Sequence, residues 1–566
     1  MSQSVNQLTP DGSSIWLPGI VACIAHHLPA NEVASTLRLI DKTTSQQFAH
    51  HKTLRLSLPS PIHVFRERWG RPGAFRALSH KQRLQLLRLT AAGGSVANLE
   101  VALANAGLDL RCEVLEAAAA AGQLDMCKVL RARSCLWGLS LGAAARGGHR
   151  HVCEWLLASG CRLDVYVVCS AAWGGREDLL QWLLTELQGP SHDAVYGLCW
   201  PLLENAAMYL SLAALQRLWQ QLMAGHHGSN LQQQLEQLSE AHRGSILAAA
   251  AGSTTPDWQA KVEWLEGLGY PRTARACDSA VRAGDGDAAV ARLQWLRGRG
   301  YPLAAGLADT AVREGNLAAL RFLVEQEGVR PTGDQFDVTF AASRGHLAVL
   351  QYLHASGLPV NTRSAAEEAA RAGHLPVVAW AVEDLGVAPA AGAASLLDCA
   401  ATSGNLELMA WLHVRGWAMG PRAIPNGAES GCEDALEWLV ERGCPFPVGV
   451  AVLVCHHHMY DALRVAHQLW PTGVSFCMRC AQPGHSAGPL DGCAGPTCVL
   501  HPSSCSGRFS WRRYRVQIRM CAFRDKGHCL PSCQSAAPGN SAASELGCEA
   551  AWGLHRPCLP KRPSLH

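Results

Sequence analysis

The chain of 566 residues has no long apolar run and is poor in charged and aromatic residues. Its longest apolar stretch, at 448–455, is about half of what a membrane-spanning helix needs, so we predict no such helix. The N-terminal segment MSQSVNQLTPDG has no basic stretch before an apolar run, which predicts no secretory signal peptide. Charged residues are only 17%, but the apolar fraction of 48% is that of a folded chain and excludes disorder throughout.

The cysteines do not form the pattern of a disulfide framework. There are 23, an odd number, and 13 of them precede residue 477. Several of these, such as Cys153 and Cys399, occupy apolar positions of predicted helices. We therefore expect free, buried thiols in a reducing compartment, and hence a cytoplasmic or nuclear protein.

A short phrase recurs through the middle of the chain: paired small residues, a glycine turn, and a segment that ends in an aromatic residue and usually leucine. In seven copies the glycine precedes the aromatic residue by seven positions: Gly148/Trp155, Gly175/Trp182, Gly315/Phe322, Gly345/Tyr352, Gly373/Trp380, Gly404/Trp411 and Gly431/Trp438. Weaker copies lie at 91–94, at 117–130 and around Trp219, Trp264 and Trp295. A phrase at a fixed period predicts a stack of similar structural units.

Each part of the phrase has a physical role in a pair of helices. Paired alanines allow a first helix to pack closely against its neighbour, and the glycine ends that helix in the left-handed conformation. After Gly345, the spacing of Leu347, Leu350 and Leu353 predicts one apolar face of a second helix. We expect the leucine and the aromatic residue of the second helix to lie in the core. Residues 188–245 are poorly periodic, which predicts longer or degenerate helices.

These phrases resemble ankyrin repeats, in which an alanine-rich helix, a glycine turn and a leucine-rich helix stack side by side. The resemblance covers 91–470, with units shorter than the usual 33 residues and without the T-P-L-H motif, so we expect short loops in place of projecting hairpins. It implies a concave surface that binds proteins. The candidate surface residues are Arg146, His149, Arg344, His346, Arg371 and His374; the alternative is that they are structural turn and cap residues.

The N-terminal block at 14–55 has the pattern of a short helical module. Leu17-Pro18 begins a predicted helix, since proline is tolerated in the first turn, and Pro29 ends it. Asn31 is predicted to cap a second helix, and a third is expected near 44–50. This block resembles an F-box, a motif that docks onto the linker subunit of a cullin-type ubiquitin ligase, although 42–48 departs from the pattern. The resemblance implies docking through Leu17, Pro18, Val21, Ile24, Leu28 and Pro29. The alternative is a helical cap on the open end of the array.

The composition changes abruptly at residue 477. The segment 477–566 holds 10 cysteines, 9 prolines, 11 lysines or arginines and 4 acidic residues. Its first residues match part of a zinc knuckle, which makes Cys477, Cys480, His485 and Cys493 weak candidate ligands. Six arginines with interleaved aromatic residues at 508–524 are compatible with nucleic-acid binding. The alternatives are a disordered tail or translated non-coding sequence, because the segment has no helical periodicity.

No catalytic constellation is recognisable. The G-x-S-x-G matches around Ser140 and Ser486 lack the strand that a nucleophile elbow requires. We therefore predict an all-α protein without enzymatic activity or cofactor: an F-box-like cap, an ankyrin-like helix-pair solenoid and a tail. The leading function is a protein–protein interaction scaffold, expected to be a monomer with no membrane or nucleic-acid partner. The alternatives are a substrate receptor of a cullin-type ubiquitin ligase and a zinc-dependent nucleic-acid binder.

Overall fold

The computed structural model describes residues 17–186, 199–224, 238–284, 286–358, 360–389 and 395–444. These residues form helices and connecting loops, and no strand occurs among them. The predicted all-α class is therefore confirmed. The predicted zinc ligands, Ser486 and the arginine-rich segment lie outside the described residues.

Three short helices form an N-terminal module: α1 (Pro18–His27), α2 (Ala30–Ser35) and α3 (Lys42–Gln47). The first helix begins at Pro18, directly after Leu17, and ends before Pro29, as the two prolines predict. The third is held by a capping box in which the Asp41 side chain accepts the backbone N–H of Thr44. A fourth helix, α4 (Ile62–Trp69), follows after a loop.

The rest of the described chain consists of twelve consecutive helix pairs. Their bounds are α5 (His80–Ala92) and α6 (Val96–Ala106); α7 (Cys112–Ala120) and α8 (Leu124–Ala132); α9 (Ser140–Gly147) and α10 (Arg150–Ala158); α11 (Val165–Trp173) and α12 (Glu177–Glu186); α13 (Cys199–Tyr209) and α14 (Leu212–Ala224); α15 (Glu240–Ala251) and α16 (Trp258–Gly267); α17 (Arg275–Ala283) and α18 (Asp287–Gly298); α19 (Leu307–Glu314) and α20 (Leu317–Arg321); α21 (Gln335–Ser343) and α22 (Leu347–Ala355); α23 (Thr362–Ala372) and α24 (Leu375–Ala379); α25 (Leu396–Ser403) and α26 (Leu406–Val414); α27 (Ala423–Ser430) and α28 (Glu433–Glu441). Helices α20 and α24 each continue as a π-helical turn, Phe322–Gln326 and Trp380–Asp384.

The pairs stack in chain order through their first helices. Each first helix, from α5 to α27, packs against the first helix of the next pair. The alanines of the phrase lie in these contacts; Ala144, Ala145, Ala369 and Ala370 are completely buried. Because a side chain larger than alanine would separate the helix axes, the small residues set the close spacing of the stack. One continuous apolar core runs from Phe65 to Cys444.

The turn glycines have the predicted left-handed conformation. In all seven copies φ is positive, between 67° and 84°: Gly148, Gly175, Gly315, Gly345, Gly373, Gly404 and Gly431. This conformation costs residues with a Cβ on the order of 1–2 kcal/mol. The glycines are therefore required by the backbone that joins the two helices of a pair.

The prediction for the second helices is confirmed for leucine and wrong for most of the aromatic residues. The leucines are buried in the six copies that have one: Leu156, Leu183, Leu323, Leu353, Leu412 and Leu439. Of the aromatic residues, only Phe322 and Trp380 are buried, and the others are half-buried at the edge of the core. An arginine guanidinium covers several of the exposed ring faces; that of Arg415 lies 3.7 Å from the Trp411 ring centroid.

The ends of the array differ from the prediction. The first pair begins at His80, ahead of the predicted start at residue 91. The prediction missed most of α5 because that helix lacks the paired-alanine phrase along most of its length. Helix α4 packs against α6, and its Phe65 belongs to the main core. The poorly periodic region contains the pair α13 and α14, which stacks between α11 and α15. At the far end, α28 closes the described array, and 445–470 lies outside the described residues.

The last pair also meets the first pair. The backbone N–H of Glu433, in the first turn of α28, donates to the Arg76 carbonyl at 3.0 Å. The guanidinium of Arg83, on α5, donates to the Gly431 carbonyl at 3.2 Å. These residues are about 350 positions apart in sequence, so the stack of pairs is closed by a contact between its two ends.

Replacing Gly345 by alanine is expected to destabilise the array more than replacing Gly357 by alanine. Both residues have positive φ, 75° and 69°, so both substitutions strain the backbone by about 1–2 kcal/mol. A Cβ at Gly345 would also lie 2.8 Å from Nδ1 of His374, whereas nothing lies within 4 Å of one at Gly357. Urea unfolding followed by circular dichroism measures both variants. Equal losses of unfolding free energy in the two variants would show that the close approach to His374 is relieved without a cost in stability.

Candidate partner-binding surfaces

The N-terminal module has a small core of its own. Val21, Val33, Leu37 and Phe48 form a buried cluster separate from the main core. Helix α1 thus uses one side to hold α2 and α3. A helix that only capped the array would direct its apolar residues into the main core, which these residues do not join.

A neighbouring face of α1, beside the one that carries Val21, presents apolar side chains to solvent. Leu17, Ile20 and Ile24 are 55%, 43% and 37% exposed. Their spacing of three and seven residues places them on one face of the helix. We call these three residues the α1 face.

The six predicted docking residues differ in how exposed they are. Leu17, Pro18, Ile24 and Pro29 are exposed, and Leu28 is half-buried against the module core. Val21 is buried in that core, so it cannot contact a partner directly. Ile20, which was not predicted, takes its place on the exposed side; the helical spacing from Leu17 and Ile24 was the available signal.

Asn31 does not cap the second helix, contrary to the prediction. Helix α2 begins one residue earlier, and Asn31 is buried within it. Its side-chain amide donates to the Arg55 carbonyl at 2.8 Å and accepts the Arg55 backbone N–H at 2.8 Å. It also contacts the carbonyls of Leu58 and Pro59. Asn31 therefore binds the loop that connects the module to α4.

The predicted surface histidines lie between neighbouring pairs. Nε2 of His149 is 3.1 Å from the Ala120 carbonyl, and Nε2 of His374 is 2.9 Å from the Ser343 carbonyl. Both carbonyls lie at the end of the first helix of the preceding pair. The ring of His346 packs closely against Gly315 in the same manner. Burial lowers the pKa of His149, although the Ala120 carbonyl acts in the opposite direction. The lowered pKa favours a neutral ring at pH 7. These histidines are positioned to join repeats.

The predicted surface arginines are exposed and have intramolecular partners. Arg146 lies over the Trp173 ring at 4.6 Å, and Arg344 lies over the Phe340 ring at 4.9 Å. Arg371 forms an ion pair with Glu368 one turn earlier in α23. Each keeps part of its side chain in solvent, so a partner would have to compete with these contacts.

Apolar side chains are exposed at one recurring position at the start of the first helices. Leu139, Tyr166 and Phe336 are all exposed, and each lies nine residues before the turn glycine of its pair. Leu139 and Tyr166 belong to adjacent pairs. A Cβ at Gly142, in α9, would lie 2.9 Å from the Tyr166 ring, so the two first helices are in close contact here. We call Leu139 and Tyr166 the first-helix patch. Sequence reasoning did not single out this position.

Other predicted chemistry finds no site in the described part of the chain. Ser140 begins α9, and its hydroxyl donates to the Trp137 carbonyl. Within the described ranges, no three side chains of histidine, cysteine, aspartate or glutamate lie together as ligands for a metal ion. No helix in these ranges has the length and apolar character needed to cross a membrane.

The sequence was also compared with known proteins. No protein-family model matches the chain, and no curated protein shows significant similarity to it.

Proposed function

We propose that the protein is a non-catalytic protein–protein interaction scaffold whose helix pairs are short, divergent ankyrin-like repeats. The first-helix patch carries this proposal. Leu139 and Tyr166 are large apolar side chains exposed at equivalent positions of adjacent pairs, and such exposure is typical of a binding surface. The short loops and left-handed turn glycines support the ankyrin-like assignment.

The scaffold function is tested by comparing partners cross-linked to the full chain with those cross-linked to a Leu139→Asp/Tyr166→Asp variant. Both positions are exposed, so the fold should tolerate the carboxylates while an apolar contact should be lost. Val414→Asp is the matched control, because Val414 is 82% exposed at the end of a second helix. Partners retained by the control and lost by the double variant would support the proposal. Identical partner sets for all three proteins would contradict it.

The exposed α1 face favours a second, more specific function. An F-box-like module docks through a preformed apolar helical surface, and Leu17, Ile20 and Ile24 provide one. The module core of Val21, Val33, Leu37 and Phe48 holds that helix in place without the α1 face. This arrangement supports a substrate receptor of a cullin-type ubiquitin ligase, in which the array selects the target. The third alternative, zinc-dependent nucleic-acid binding by 477–566, has no observation in its favour among the described residues.

Changing Leu17 and Ile24 together to aspartate is expected to abolish co-purification with the ligase linker subunit. Two carboxylates in an apolar interface would lose their hydration without a partner. Thermal unfolding of the array should be unchanged, because both side chains are already in solvent. The measurement is a pull-down of the purified full chain with the linker subunit, alongside thermal melting.

Two controls complete the experiment. Val414→Asp adds a carboxylate at an exposed apolar position in the array and should retain the linker subunit. Val21→Asp places a carboxylate in the module core and should unfold the module, which distinguishes loss of the surface from loss of the fold. If the unmodified chain does not retain the linker subunit, the ligase function is excluded and the scaffold function remains.

A further inference from the structure

The contact between the two ends of the array reproduces part of the contact between neighbouring pairs. Along the array, a turn glycine lies beside a polar side chain in the turn of the next pair: Gly94 beside Gln123, Gly122 beside His149 and Gly345 beside His374. The last turn glycine, Gly431, lies in the same way beside His80 at the start of α5. The start of α5 thus supplies, at the last turn glycine, the polar side chain that the next pair supplies elsewhere in the array.

The end contact includes two layers of charge. In the outer layer, Arg76 binds Asp434 at 3.1 Å and also pairs with Glu437. In the inner layer, Arg83 is 1% exposed and binds Glu433 at 3.1 Å. Arg83 also donates to the Leu78 and Ala106 carbonyls, which fixes it to the first pair. The basic groups all come from the first end of the array, and the acidic groups all come from the last.

The packing of the ends differs from that of neighbours. Consecutive first helices pack along one another throughout the described array, whereas α5 and α27 do not. Ion pairs and backbone hydrogen bonds therefore carry much of the end contact. When such a contact opens, water solvates the separated charges, so its net stability is far smaller than that of an equal number of apolar contacts.

We propose that this contact is a reversible ionic latch that holds the array closed. Opening it leaves the apolar stacking between neighbouring pairs intact and exposes a basic surface at Arg76 and Arg83 and an acidic surface at Glu433, Asp434 and Glu437. Salt weakens the outer layer first, because charges in solvent are screened over about 10 Å at 0.1 M and about 3 Å at 1 M. The Arg83–Glu433 pair is shielded from this effect.

The latch is tested on the full chain by hydrogen exchange and sedimentation velocity. Arg76→Glu places a fourth carboxylate beside Glu433, Asp434 and Glu437 of α28 and should open the array. The amide of Glu433, which donates to Arg76 in the closed form, should then exchange severalfold faster, and the sedimentation coefficient should fall. Arg133→Glu, the control, breaks an exposed ion pair with Glu100 and should change neither measurement.

The charge-swapped variant Arg76→Glu/Glu437→Arg decides the interpretation. Restored protection at Glu433 and a restored sedimentation coefficient would support the latch. If Arg76→Glu unfolds part of the array, seen as a loss of helical circular dichroism, recovery in the swapped variant still supports it. Protection at Glu433 equal to that of the unmodified chain in Arg76→Glu, or no recovery in the swapped variant, would overturn the proposal.

Discussion

Replacing Lys261 by methionine is expected to lower the free energy of unfolding by about 1–3 kcal/mol, although this side chain touches no predicted site. Lys261 is completely buried in α16. Its ammonium group donates to the Ala207 carbonyl at 3.0 Å, to Ser253 at 2.8 Å and to Thr255 at 2.7 Å. Burial lowers the pKa of Lys261 to about 8, so the charged form still predominates at pH 7. Methionine fills a similar volume but leaves these acceptors without their donor.

The matched control is Lys128→Met. Lys128 is half-exposed on α8 and pairs with Asp125 at 3.5 Å, so its loss should cost about 0–1 kcal/mol. Both variants are measured by urea unfolding at pH 7. A loss for Lys261→Met no larger than that for Lys128→Met would show that the buried ammonium group is dispensable.

Replacing Glu266 by glutamine is expected to remove a stabilisation that depends on pH. Burial opposes ionisation of Glu266, but hydrogen bonds from Arg299, Tyr301 and Arg272 outweigh it and lower the pKa to about 2. Tyr301 donates at 2.7 Å and Arg272 at 3.1 Å. Because the folded pKa lies below the unfolded one, the stabilisation is complete above about pH 4.5 and is lost as the pH falls toward 2.

The expected difference in unfolding free energy between the unmodified chain and Glu266→Gln is on the order of 2–3 kcal/mol at pH 7. It should shrink steadily below pH 4.5 as the carboxylate of the unmodified chain becomes protonated. Urea titrations at several pH values measure it. Glu263→Gln is the control, since Glu263 is half-exposed and pairs only with Arg299 among the described ion pairs. A difference independent of pH would contradict the assigned role of the Glu266 carboxylate.

The helix pairs could be predicted from the sequence because their determinants are local. A glycine with positive φ, two alanines before it and a leucine eight residues after it fall within one short window, as at Gly345. Each of these residues is required by a backbone conformation or a packing distance within its own pair or the next. The same reasoning placed both ends of α1, because proline restricts the helix on either side.

Contacts between distant or irregular segments could not be predicted. Arg83 has no feature in the sequence that links it to Glu433, because closure depends on small rotations accumulated over twelve pairs. Lys261 could not be singled out either, since nothing in the local sequence shows that Ser253 and Thr255 surround its ammonium group. The half-buried tryptophans were predicted to lie in the core for a related reason. Residue type indicates that a large ring packs against the core, but it does not indicate that the outer face of the ring stays exposed and contacts an arginine.

The two π-helical turns mark a longer period in the array. They begin at Phe322 and Trp380, which are 58 residues apart, and the same interval separates Trp264 from Phe322 and Trp380 from Trp438. Each turn adds one residue between the aromatic side chain and the next glycine, Gly328 or Gly386, whereas the pair of Tyr352, which lies between them, lacks the extra residue. The segments FLVEQEGVRP and WAVEDLGVAP, which begin at these residues, share five identities at equivalent positions. Between Phe322 and Trp380 the sequence therefore repeats as a block of two helix pairs, and the extra residue belongs to that block.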